Sequence, residues 1–138
     1  MALFLEHSRV ARMATVNEIG RPFLVPICFS YFEGIFYSVL DEKPKSVPHE
    51  RLRRVQNINK NPHVALLIDY YDEDWTKLSF LQIQGEAEIL RSGREHAKAI
   101  QSLIQKYPQY LKMNVLEKPI IKITPSKISA WGKTDRPG

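Results

Sequence analysis

Apolar and polar positions trade places along most of this chain, and the period of the exchange predicts its elements. The alternation through Ala11, Met13, Thr15 and their neighbours predicts a strand ending at Val16. The "NEIG" that follows is a turn signal, because Asn and Gly accept the dihedrals a short loop needs. A second strand is expected from Phe23 to Tyr31, with Pro22 at its start and Pro26 inside it. Pro26 has no N–H for a ladder, so it predicts an edge, a bulge or an opening in the sheet. After "FEG", Ile35–Leu40 reads as a third strand. "HVALLIDYY" is almost continuously apolar and predicts a central strand buried on both faces. "LSFLQIQGEAEIL" alternates from Leu78 to Leu90, with Gly85 as a bulge or bend, and "PIIKITPSKISAW" makes a last strand.

Helical spacing shows in three places. Residues 2–8 suit one or two turns. Leu52, Val55 and Ile58 recur at helical intervals after Pro48, and Asn61–Pro62 ends that helix. Ser92 is a candidate cap for a helix from about Gly93 to Lys106, with Ala97, Ile100, Leu103 and Ile104 as its apolar stripe and "YPQY" as its end. The order β-β-β-α-β-β-α-β puts hairpins before the first long helix. It predicts a mainly β fold: six antiparallel strands closed into a small barrel, with flanking helices, as one domain over residues 1–138.

Composition sharpens the function classes. A 43% hydrophobic and 25% charged content is that of an ordinary globular domain. The net charge of +5 favours an anionic partner such as a phosphate-bearing cofactor. Cys28 is the only cysteine, so no intrachain disulfide can form, which fits a cytoplasmic setting; in "LVPICFSYF" it reads as a small core residue. No apolar run has the length of a membrane span, and the charged N-terminal stretch does not read as a signal peptide. His7, His49, His63 and His96 share no ligand spacing, so no metal site is expected. "DYYDEDW" reads as a charged loop between strands.

The strongest chemical signal is "VLDEKPKSVPHERLRRVQNINKNP", Val39–Pro62, where Lys43, Lys45, Arg51, Arg53, Arg54 and Lys60 crowd together. Lysine and arginine bind phosphate, and the helix start after Pro48 adds a positive end. Spacing alone leaves two readings level: an anion grip, or a solvated helix face. A nucleic-acid face would want aromatics among the cations, and the block has none, so no nucleic-acid partner is expected.

Several segments carry a family resemblance: "ARMATVNEIGRPFLVPICFSYFEGIFYSVLDEKPK", "RLRRVQNINKNPHVALLIDYYDEDW", "QGEAEIL" and "YPQY". Together they resemble the pyridoxamine 5′-phosphate oxidase-like split-barrel flavoproteins over residues 8–131, nearest to the branch that uses the deazaflavin coenzyme F-420. The resemblance implies a six-stranded split barrel that forms a homodimer, with FMN or coenzyme F-420 in grooves at the interface and hydride exchanged with a small substrate. It implies that Val25, Pro26, Ile27 and Cys28 offer backbone to the flavin ring and that Tyr37, Ser38 and Val39 lie beside the phosphate or ribityl chain. Lys43, Lys45, Arg51 and Arg54 would hold the phosphate, with Asn57 next on that face. Trp75, Gln82 and Trp131 would reach the ring edge from the partner chain. "RPFLVPICF" stands where the true oxidase has R-x-V-L-L-K, so the implied activity is an oxidoreductase of unassigned substrate. The alternative is a cofactor- or haem-binding module without turnover, with His7, His49 or His63 as a haem ligand.

Overall fold

In the computed structural model, which describes residues 1–41, 48, 51–132 and 134, the alternating segments form strands. In chain order the elements are α1 (Ala2–His7), β1 (Ala11–Val16), β2 (Pro22–Ile27), β3 (Ser30–Phe32), β4 (Ile35–Val39), α2 (Arg53–Lys60), β5 (His63–Tyr70), β6 (Ser79–Leu90), α3 (Arg94–Lys106) and β7 (Ile120–Gly132). The strands make one sheet, ordered β2-β1-β5-β6-β7-β4-β3, with every pairing antiparallel. Its two edge strands, β2 and β3, are separated in sequence by Cys28 and Phe29 alone. Three Cα steps reach only about 11 Å. The sheet must therefore curl until its edges meet, which makes a barrel split between β2 and β3.

That crossing explains why the structure has seven strands where the pattern predicts six. The expected strand Phe23–Tyr31 is cut at Cys28–Phe29, where the chain leaves its pairing with β1 and joins β4. Pro26 lies on an edge strand, the place where a missing donor costs least. The Asn17 side chain folds the first hairpin by accepting from the N–H groups of Ile19 at 3.0 Å and Arg21 at 2.9 Å. Gly20 closes that turn at φ +85°, a conformation open to glycine.

The barrel interior is filled by Met13, Phe29, Phe36, Leu66, Ile68, Leu81 and Ile83, with Phe4 and Leu5 of α1 and Val55 and Ile58 of α2 plugging it. Each such side chain contributes about 1.5–3 kcal/mol on burial. A second core lies outside the barrel wall, where α3 lays Ile100 and Leu103 on Tyr37, Val39 and Ile120.

Three local expectations are corrected. The second helix begins at Arg53, with Leu52 as its N-cap, rather than close behind Pro48. Gly93, not Ser92, caps α3, and no side chain bonds its first turn. β5 is buried on one face only: Val64, Leu66 and Ile68 point inward, while Leu67 stays 38% exposed on the outer face. Among the described residues none shields Leu67 from solvent on that face. The bulge expected at Gly85 is present, as a register shift between Gln84 and Gly85 against β7. Asp72 and Asp74 turn the β5–β6 loop by accepting from the Asp74 and Thr76 N–H groups. Among the described residues no helix is long and apolar enough to cross a membrane.

Candidate functional site

α2 is short, and its phase decides which cations are available. Val55 and Ile58 face the barrel, and Asn57 is buried beside them, donating from Nδ2 to Thr15 Oγ1 at 2.9 Å. That bond pins α2 to β1. The residues turned outward are Arg53, Gln56, Asn59 and Lys60. With Asn17 and Glu18 of the first hairpin, and with Asn57 at its floor, they line an opening of about 460 Å³. Lys60 closes one side through an ion pair with Glu18 at 2.7 Å. The Arg53 guanidinium lies 5.8 Å from the centre of the Phe23 ring on β2 and has no carboxylate partner among the described residues.

The cleft therefore combines an arginine without an acid, amide groups from Asn17, Gln56 and Asn59, and the neighbouring β2 edge. Among the described residues β2 pairs only with β1, so no other described strand takes its outward N–H and C=O groups. Val25 and Ile27 send their side chains to the core, while Leu24 and Pro26 face out. This donor set fits the phosphate and the polar ring edge of a flavin-type cofactor: cations for the first, strand backbone for the second.

The other residues expected at the site separate. Arg51 is exposed just ahead of α2, and Arg54 is half-buried on its flank with Nε shut away from solvent. Lys43 and Lys45, like His49, lie outside the described residues. Tyr37 and Val39 lie beneath α3, and Ser38, between them, is buried. The Tyr37 hydroxyl donates to Glu95 Oε2 at 2.7 Å, and Lys122 holds Glu95 Oε1 at 3.0 Å. Those bonds, from Lys122 first and Tyr37 second, hold the Glu95 carboxyl below its usual range, and burial with Glu95 alongside pushes the Tyr37 hydroxyl up. Cys28 is half-buried against the second core.

Gln82 and Trp131 belong to the outer side of the sheet, and Trp75 to the loop between β5 and β6. Gln82 stands in register with Leu67 on one side and Ser129 on the other. Trp131 stacks on Phe80 with centroids 5.7 Å apart and stays 52% exposed, while Trp75 is 69% exposed and donates from Nε1 to the Tyr71 hydroxyl at 3.3 Å. Leu24, 65% exposed, adds to the apolar character of the same sheet near its edge. Arg53 is the residue that sequence reasoning passed over. The resemblance implied Arg51 and Arg54, with Asn57 next on their face; in the structure Arg53 and Asn57, one helical turn apart, line the cleft, and Arg51 and Arg54 do not. The adjacent apolar pair Val55 and Ile58 was the usable signal, since Arg53 lies off their face.

Residues 1–132 match the family model for pyridoxamine 5′-phosphate oxidase. The chain belongs to this family. No curated protein matches it. Among solved structures it is similar to a conserved hypothetical protein of Mycobacterium tuberculosis, with a TM-score of 0.76 at 19% identity over 95% of this chain and 81% of that one. It is also similar to an F420 reductase (TM-score 0.67, 20% identity, 91% and 93% of the two chains). A third is HutZ, a haem storage protein of Vibrio cholerae (TM-score 0.73, 14% identity, 96% and 95%). At such identities these likenesses establish the split-barrel fold of the pyridoxamine 5′-phosphate oxidase family and nothing finer.

Proposed function

We propose that this protein is an oxidoreductase that holds FMN or the deazaflavin coenzyme F-420 in a groove between two copies of the chain. The observation that carries the reading is the cationic cleft of α2 beside the free backbone edge of β2. The bound cofactor would supply hydride transfer to or from a small substrate, and the protein would bind, orient and shield it. Arg53 supplies positive charge at the cleft, with Arg51 just ahead of the same helix, and Lys43 and Lys45, outside the described residues, are proposed as further phosphate contacts. The backbone of Val25–Cys28 is available to hydrogen-bond the ring edge. Leu24, Leu67 and Trp131 favour self-association through the outer face of the sheet, because exposed apolar surface of this kind marks an interface. A second copy there brings Trp75, Gln82 and Trp131 toward the groove and keeps water from it. The single, half-buried Cys28 is compatible with a reducing, cytoplasmic setting.

A second reading is cofactor or haem carriage without turnover. It is supported by the haem storage protein, and by a haem-binding protein of Mycobacterium smegmatis, among the similar folds. One titration series addresses both. FMN, coenzyme F-420 and haem are added to the purified protein and followed by absorbance and fluorescence. Flavin or deazaflavin binding is expected in the micromolar range. Arg53→Ala and Lys45→Ala each remove a charge-assisted contact of about 1.5–3 kcal/mol, so each should weaken it roughly 10- to 100-fold while leaving the melting temperature nearly unchanged. Failure of both cofactors to bind below millimolar concentration sinks the oxidoreductase reading, and a haem Soret band in their place supports the second.

A further inference from the structure

A larger opening, of about 630 Å³, lies between α1, β3 and the last turns of α3. None of the residues assigned to the cofactor cleft lines it. Two cations do: Arg9, just before β1, and Lys106, the last residue of α3. Each has a structural duty. Arg9 Nη2 donates to the Lys106 carbonyl at 2.8 Å, and Lys106 Nζ donates to the Leu5 carbonyl at 2.9 Å. Aromatic faces support both, with Arg9 4.4 Å from the centre of the Tyr107 ring and Lys106 3.7 Å from that of Phe29.

Those duties account for one donor on each side chain. Lys106 keeps two more N–H groups and Arg9 four. Neither forms an ion pair with a carboxylate among the described residues, although Glu6 lines the same opening. Like charges held side by side, Lys106 half-buried and Arg9 exposed, repel one another, and neutralisation by a bound anion relieves the repulsion. Tyr31 and Phe32 provide an apolar wall beside them.

We propose that this opening binds an organic oxyanion, a carboxylate or phosphate ester, with its charged end on Arg9 and Lys106 and its apolar body along Tyr31 and Phe32. The proposal stands independently of the cofactor reading. It has a pH signature of definite sign. Burial first, and Arg9 second, lower the Lys106 ammonium to about 8. Near pH 7 the lysine is charged and an anion binds without proton exchange. Above 8 it is largely neutral, so binding must take up a proton, and affinity at pH 9 should be about 10-fold lower than at pH 7. The other titratable groups around it are Glu6 and His7 on α1, Cys28, Tyr31, and Tyr107, whose hydroxyl burial pushes up to about 12.

Calorimetry on the full chain tests this with phenyl phosphate and benzoate, which separate phosphate from carboxylate ligands, and with inorganic phosphate, which lacks the apolar body. Titrations at pH 7 and pH 9, in two buffers of different ionisation enthalpy, count the protons taken up. Expected are saturable binding of at least one aromatic anion, tighter than inorganic phosphate, and proton uptake at pH 9 only. Arg9→Gln should weaken binding 10-fold or more. Lys106→Arg, which keeps the charge, should retain binding at pH 7 and abolish the fall at pH 9. Arg53→Gln, in the cofactor cleft, should leave the affinity for these aromatic anions unchanged, whatever it does to cofactor binding. No binding of either aromatic anion at millimolar concentration overturns the proposal, as does binding indifferent to Arg9→Gln or lost with Arg53→Gln. The proton count needs only the unmodified protein, so a variant that fails to fold leaves the test intact; binding without uptake at pH 9 also overturns the assignment.

Discussion

At Tyr37 one hydroxyl decides between a structural and a functional role. It donates to Glu95, which in turn holds Lys122, so the ring is fastened beneath α3 by a chain of charge-assisted bonds. Tyr37→Phe removes one of them and should cost about 1–2 kcal/mol in urea unfolding without changing cofactor affinity. A tenfold loss of affinity at unchanged stability would instead make Tyr37 a cofactor contact. The deficit has a pH window. The Glu95 carboxyl lies below its usual 4.5 in the folded state, so its contribution is full above 4.5 and fades as pH falls through the lowered value. Wild type and variant should converge in acid. None of these partners was legible in the sequence. Tyr37 and Glu95 stand 58 residues apart, and only the packing of α3 across β4 and β7 joins them.

Among the elements, the β6–β7 pair carries the longest ladder and its one irregularity. The register slips between Gln84 and Gly85, and Ser126 donates to the Gln84 carbonyl at 3.1 Å. A Cβ at Gly85 would come within 2.5 Å of the Thr124 carbonyl oxygen. Gly85→Ala should therefore destabilise the protein by about 1–3 kcal/mol, read from the midpoint of denaturant unfolding. Glycine in an alternating strand marks such a site, which is why this bulge could be placed from the sequence. The phase of α2 could not. It depends on where the helix begins, and the cap at Leu52 is set by docking on the barrel rather than by a capping side chain. With Val55 and Ile58 docked into the barrel, Arg53 comes to the cleft and Arg54 to its flank.

For the whole molecule, the outer side of the sheet is the feature on which the proposed self-association rests. An apolar β5 predicts cover on both faces, yet the described residues supply it on one. Leu67→Glu should leave the fold intact, since the side chain points away from the barrel. On the proposed dimer it should turn a two-chain species into a single chain in light scattering, with cofactor affinity falling alongside. A variant that stays dimeric and binds normally would move the interface elsewhere.

The sequence by itself determined the mainly β class, the turns at Asn17–Gly20 and Gly34, the extent of α3 to within a residue or two, and the likeness to the pyridoxamine 5′-phosphate oxidase family. These rest on periodicity, turn chemistry and short motifs, all of which act over a few residues. The tertiary structure alone decided that the strand through Pro26 is cut in two, because the curl of the sheet forces the chain to change partners at Cys28–Phe29. It decided that Asn57, bonded to Thr15, and Arg53 line the cleft together. It also brought Arg9 to Lys106 across 97 residues of sequence. Each of these depends on which distant segments are pressed together, and local periodicity carries no record of that.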